Sequence, residues 1–465
     1  MMRKHLLILL LTLFCCVSFR AQELRGAWIH SPTGIAGWGW DKTVKALADN
    51  GFNAIFANLS WTVCSDYPSQ ISTPRPSLKQ ADGSYRDCLQ ECLDACRKYG
   101  IQLHVWVVVC NMGESPKAVR ELYRNAGRTQ VDKDGKVSDY LSPQLAANRQ
   151  LLAEVLTELV QKYDIDGVHL DYIRYPFGDY DCSATARKDF EKKLGRAVAK
   201  WPEDILKGGC DRAAYRQWCR ENVTGLLKAG HDAVKAVKPK MQFSTAVYGH
   251  WPSARESVAQ DAAVWVDKGL VDFLCPMNYS AKAEEARGWL LQQLDVVQGR
   301  VPIYSGLANY MCESVEGLQQ QIRDTRKYGA DGFICFQLKE NLAEWLPTLK
   351  QSETAKTVKA PVAYGQPRPT WKWTTYRSLW DRLAFWRDKQ VVEYDCQMQM
   401  TGMTSRPTGR VELLRDGETS GLPMEIKWKK GTLHLKVTPS EGGCYRWKVM
   451  IGDNTWFSTT LVVSR

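Results

Sequence analysis

Asp171 closes a run in which apolar and polar residues alternate, Gly167-Val168-His169-Leu170-Asp171, and it is followed at once by Tyr172-Ile173-Arg174-Tyr175-Pro176. A period of two marks a strand whose faces meet different surroundings. Val168 and Leu170 face covering helices, while His169 and Asp171 face the other way, with Asp171 at the strand's far end. A carboxylate there, beside aromatics and an arginine, is badly placed for a core. It is well placed for acid–base work or for stabilising a developing positive charge. His169 lies one pleat deeper, where it orients Asp171 or bonds a neighbouring strand.

Such a strand end needs a scaffold. Between residues 24 and about 350, strands predicted at 26–30, 53–59, 102–109, 167–172, 242–248, 273–279, 302–307 and 332–337 alternate with helical patterns at 41–50, 87–99, 148–163, 211–238, 256–268, 283–298, 314–328 and 342–349. Asn50-Gly51, Tyr99-Gly100 and Tyr328-Gly329 supply left-handed helix stops. Eight such units predict an α/β fold, a (β/α)8 TIM barrel over 22–350. A doubly wound open sheet fits less well, because no Gly-rich turn follows the first strand. The segments 60–86, 110–147 and 173–210 exceed ordinary βα loops and are expected to wall a groove on the face where Asp171 emerges. Residues 351–373, with Pro361, Pro367 and Pro369, read as a linker. Residues 374–465, with turns at Asp416-Gly417, Lys430-Gly431 and Gly442-Gly443, read as a small fibronectin-like β-sandwich.

Composition narrows the setting. The chain has 465 residues, 44% of them hydrophobic, enough for a large core and a second domain. Residues 1–21 have the build of an export signal: Arg3 and Lys4, an apolar stretch from Leu6 to Phe14, then Arg20-Ala21. Cleavage near Ala21 is expected, with a lipid anchor at Cys15 or Cys16 as the alternative, so the protein is expected in the periplasm or at the cell surface. No other segment is apolar enough for a membrane span. The net charge of +11 comes from cations scattered among acids; without a basic stripe, nucleic acid is not an expected partner, whereas an acidic polymer is. Of the fifteen cysteines, Cys88, Cys92 and Cys96 share one helix face and are expected as buried thiols. Cys210 with Cys219 and Cys396 with Cys444 are candidate disulfides.

Three stretches carry a family resemblance: Leu24-Arg25-Gly26-Ala27-Trp28, His104-Val105-Trp106 and Asp166 to Pro176. Over residues 24–350 the chain resembles the glycosyl-hydrolase-like family 10 proteins of bacterial envelopes. The resemblance implies a glycosidase acting on peptidoglycan or a related N-acetylated glycan. No cofactor is expected, and no metal, because no His-x-His follows the first strand. Where the family often has a basic and acidic cluster after the second strand, this chain reads Asn58-Leu59-Ser60-Trp61. The fourth strand is also similar to that of glycoside hydrolase family 18, but Ile173 stands where that family has its catalytic Glu.

Glycoside hydrolysis usually takes two carboxyl groups, one protonated and one ionised. Asp171 is the first candidate. For the second, Glu340 and Asp66 rank ahead of Glu114 and Asp139. Expected substrate-binding residues are His169, Arg174, Tyr175, Trp61, Trp106, Asn111, Tyr248, His250, Asn278 and Tyr279. Among eighteen tryptophans, Trp38, Trp40, Trp61 and Trp251 follow strand ends and are candidate sugar platforms, whereas Trp28, Trp265, Trp289 and Trp345 are expected in the core. Two alternatives stay open: a carbohydrate-binding protein on the same scaffold, and a metal-dependent deacetylase using His30, His104, His169 and Asp171.

Overall fold

The computed structural model describes residues 22–176, 181–365, 368–376, 392–400, 402–452 and 454–463; the expected export head lies outside them. Eight parallel strands close on themselves: β1 (Leu24–Ile29), β2 (Ala54–Trp61), β3 (Gln102–Val108), β4 (Gly167–Asp171), β5 (Gln242–Tyr248), β6 (Phe273–Met277), β7 (Tyr304–Leu307) and β8 (Gly332–Phe336). Each pairs with the next in sequence, and β1 pairs with both β2 and β8, which completes the expected TIM barrel.

Alternation along the strands divides the core in two. Outward residues such as Ala27, Ile55, Val105, Val168, Leu170 and Phe333 pack under the helices. Inward residues such as Leu24, Trp28, Phe56, Trp106, Phe273 and Tyr304 fill the barrel. Register sets depth: Trp106 is level with His169, and Val108 with Asp171. Among the inward positions, Gly167 is compelled by crowding, since a Cβ there would meet His104 Nδ1 at 2.2 Å. His104 in turn stacks on Phe56 at 4.7 Å.

One predicted element is divided. The helix expected over 256–268 is two, Trp251–Ser257 and Ala262–Asp267. Ala259 between them is left-handed at φ 60°, and Gln260 turns inward so that its side-chain oxygen accepts from Tyr248 N–H at 3.0 Å. The long loops carry structure of their own, including helix Lys117–Asn125, the hairpin Thr129–Val131/Val137–Leu141 and helix Ala184–Leu194.

The C-terminal region forms two packed antiparallel sheets around Trp371, Cys396, Leu435, Tyr445 and Trp447. Its first strand, Pro369–Tyr376, begins inside the expected linker, because Trp371 alternates into that core. Part of the remaining linker seals the barrel's N-terminal end: Ala363 N–H donates to Gln242 Oε1 at 2.8 Å, and Lys356 O accepts from Arg25 at 2.7 Å. Neither expected disulfide forms. Cys396 is buried between the sheets, Cys444 is exposed, and Cys210 and Cys219 are likewise free thiols. Among the described residues no helix is long and apolar enough to cross a membrane.

Candidate active site

Asp171 is the last residue of β4, 5% exposed, at the C-terminal rim of the barrel. The ladder with the β3 side continues past the strand ends, where Val109 N–H donates to Asp171 O and Cys110 N–H to Tyr172 O. Tyr172 then adopts φ 52°, an uncommon conformation for a bulky residue. Its N–H bonds Asp171 Oδ1 at 2.6 Å, and Arg174 Nη1 bonds the same oxygen at 3.1 Å. Among the described residues no hydrogen bond engages Oδ2. The Arg174 guanidinium lies 3.9 Å from the Tyr172 ring and 4.9 Å from the Tyr248 ring. Burial is the largest single influence and works against its charge, but the Asp171 carboxylate together with Tyr248, Tyr172 and Tyr140 moves its pKa upward.

Above this pair opens a cavity of about 410 Å³, lined from β4 by Asp171 with Tyr172 and Arg174 beyond it. Trp61, Trp106 and Asn111 form one side, Tyr279 and Phe336 another, and Trp28 the floor. Tyr279 and Phe336 stack at 5.3 Å and 15°. Burial, and secondarily the charge of Asp171, push the Tyr279 phenol well above its usual range. The cavity holds a second carboxylate, Glu114, whose Oε1 is 3.7 Å from His30 Nε2. His30 is set edge-on against Trp61 and Trp106. A larger hollow of about 770 Å³ lies at the opposite end, between barrel, linker and C-terminal sheets, and is crossed by the ion pairs Glu23–Arg326 and Asp331–Arg368. It is an interdomain seam, since chemistry in these barrels sits at the strands' C-terminal ends.

Several expected residues lie elsewhere. Asp66 does not line the cavity; it is 1% exposed and paired with Arg75 at 2.6 Å, and burial raises its pKa in spite of that partner. Arg75 also donates to Glu114 O at 2.9 Å, so Asp66 steadies the loop that bears Glu114. Asp139 is held by Arg120 and Arg124. Glu340 opens the last helix, Glu340–Gln351, and its side chain lies outside the described part. His169 is fully buried below the cavity: Trp28 Nε1–H donates to its Nε2 at 3.1 Å, so the neutral ring gives its Nδ1 proton to Ser244 Oγ at 2.9 Å. Tyr175 is buried among outer-layer residues, and Asn278 is consumed by Gln293 and Ser305. Tyr248 lies outside the lining and meets the site through Arg174, and His250 is exposed ahead of helix Trp251–Ser257, likewise outside the lining. Trp40 and Trp251 are core residues, and Trp38 packs against that core. The four proposed metal ligands do not converge, because His104 and His169 lie in the barrel interior, and burial drives the His104 pKa down to about 3.

Besides the aliphatic lining of Val108, Ala246 and Met277, the cavity residues passed over were five, Trp28, Tyr172, Phe336, Gln337 and Lys339. Four of the five stand at or just beyond the ends of β4 and β8, the signal that would have found them. Trp28 is level with Phe56 and Phe336, so it is both core and floor.

Fold and site together define a closed (β/α)8 barrel with a carboxylate-bearing aromatic cavity at its C-terminal rim. Structural neighbours agree at the level of fold: the glycoside hydrolase domain of PgaB (BpsB) from Bordetella bronchiseptica has a TM-score of 0.53 at 12% identity, covering 71% of this chain and 98% of that one. The catalytic domain of beta-amylase from Paenibacillus polymyxa gives 0.50 at 13%, covering 73% and 99%. The family model described as Glycosyl hydrolase-like 10 matches residues 23–324, and the chain belongs to that family, as its motifs led one to expect. Relatives include glycosyl hydrolase YngK of Bacillus subtilis, 23% identical over 56% of this chain and 54% of its own length. Glycosyl hydrolase DigH of Escherichia coli K12 is 23% identical over 56% and 63%. The chain thus spans a little over half the length of these relatives.

Proposed function

We propose that this protein is an exported glycoside hydrolase that cuts peptidoglycan or a related N-acetylated glycan, with Asp171 and Glu114 as its working carboxyl groups. The observation that carries the reading is Asp171, fixed through one oxygen by Tyr172 N–H and Arg174, at the wall of an aromatic cavity that also holds Glu114. In this reading Asp171 meets the positive charge that develops at the anomeric carbon, and Glu114 hands its proton to the departing glycosidic oxygen. The C–O bond breaks with its electrons passing to that oxygen. Water supplies hydroxide to the anomeric carbon, and its proton restores the acid. The aromatic walls suit sugar rings, whose C–H faces are apolar. The export head at 1–21 and the resemblance to envelope proteins support a periplasmic or cell-surface setting.

The experiment is incubation with peptidoglycan, peptide-free glycan strands and chitin oligomers, with new reducing ends read by mass spectrometry. Asp171→Asn and Glu114→Gln are each expected to lower kcat by about a hundredfold or more. Full activity in Asp171→Asn overturns the assignment. Binding without products in the wild type makes the protein a glycan-binding barrel instead.

A further inference from the structure

We propose that Tyr310 is a sugar-stacking platform at the cavity rim, so that the site grips a glycan at least one sugar beyond those inside the cavity. The inference rests on the glycan reading above and extends it to a position outside the cavity lining. Tyr310 belongs to the short turn Asn309–Met311 that follows β7 and is 56% exposed. Lone exposed apolar residues are ordinary on a protein surface. Tyr310 differs from Leu122 or Val462, which are also exposed, in two respects.

The first is continuity. Its ring stands edge-on to Tyr279 at 6.3 Å and to Phe336 at 6.0 Å, and those two are the stacked pair of the cavity wall. Tyr279 meets Trp28 edge-on in turn at 6.4 Å, so an unbroken series of aromatic contacts runs from the floor out to Tyr310. The second is support. Asn309, fully buried, donates from Nδ2 to Gln337 O and to Asn341 Oδ1, both at 3.1 Å, and Asn341 Nδ2 donates back to Asn309 O at 3.4 Å. The turn is pinned to the segment after β8, whose Gln337 lines the cavity. A ring held on so fixed a base loses little freedom when a partner stacks on it. The occupant that fits is a pyranose of the same glycan, laying its axial C–H face on the ring while its equatorial hydroxyls remain in water.

Binding tests this independently of cleavage. Length-fractionated, peptide-free peptidoglycan strands are titrated calorimetrically into Asp171→Asn protein. Affinity is expected to rise about tenfold at one step of chain length. That step is lost in Tyr310→Ala and retained in Tyr310→Trp. The proposal is overturned if the Asp171→Asn protein shows no such step, or if Tyr310→Ala keeps it. Cleavage assays of the wild type run in parallel separate the two ideas: Tyr310-dependent binding without any products leaves the platform standing and removes the glycosidase reading.

Discussion

One pleat separates Asp171 from His169, and that step divides a side chain that faces a cavity from one enclosed by Trp28 and Ser244. Alternation along β4 placed both residues on the inner face, yet depth depends on where each neighbouring strand ends, and the residues of β4 do not record that. The same limit explains Asn278 and Tyr279: adjacent in sequence, one is tied to Gln293 and Ser305 while the other lines the cavity. Asp66 and Glu114 changed places for a different reason, since both sit on long loops whose course no periodicity describes. Arg174 is the residue whose geometry most constrains Asp171. Its planar group lies between the Tyr172 and Tyr248 rings, which an ammonium on a flexible stem does not reproduce. Arg174→Lys is therefore expected to lower kcat by roughly tenfold to a hundredfold. Its far-UV circular dichroism should stay unchanged; an unaltered kcat would remove Arg174 from the positioning of Asp171.

At the level of elements, β4 is locked to β3 through a glycine and a histidine. A methyl on Gly167 would intrude on His104 Nδ1, so Gly167→Ala is expected to cost about 3 kcal/mol, seen as a lower urea midpoint. His104 also gives the barrel a pH dependence whose sign follows from its burial. Its folded pKa is about 3 against 6.5 when unfolded, so between those values the unfolded chain binds a proton that the folded barrel refuses. The stability is fully present above pH 6.5 and is lost as pH falls towards 3, at about 1.4 kcal/mol per pH unit. Buried His169 acts in the same direction, and Asp66, with its raised pKa, in the opposite one. Comparing His104→Phe with the wild type isolates the one term: the slope of unfolding free energy between pH 6 and 4 should be shallower in the variant. The eight strands were legible because buried parallel strands are short apolar runs bounded by turns. The break at Ala259 was not, because Gln260 turns inward to satisfy β5 backbone, a tertiary demand that overrides helical periodicity.

Across the whole molecule, the C-terminal sheets are joined to the barrel by polar contacts that no sequence pattern announces. Arg446 is the centre of that seam. It is 8% exposed, its Nε donates to Ser458 O at 2.9 Å, and its Nη1 donates to Tyr328 O at the end of helix Val315–Tyr328. Burial pulls its pKa down to about 10, which still leaves it charged at neutral pH. Around it, Thr460 N–H donates to Asp295 Oδ1, and the Phe457 ring lies where a Cβ on Gly329 would stand. Glycine at 329 thus ends a helix and admits the other domain at once. Arg446→Met keeps much of the apolar stem but takes the guanidinium donors from two carbonyls, Ser458 O and Tyr328 O, a loss of about 2–4 kcal/mol. Because the sheets have their own core around Trp371 and Trp447, they should survive the loss of this anchor. The expected outcome in calorimetry is that one transition in the wild type becomes two in Arg446→Met, with the proposed glycan cleavage by the barrel unaffected. A single transition shifted as a whole would mean instead that barrel and sheets unfold as one unit whatever happens at the seam.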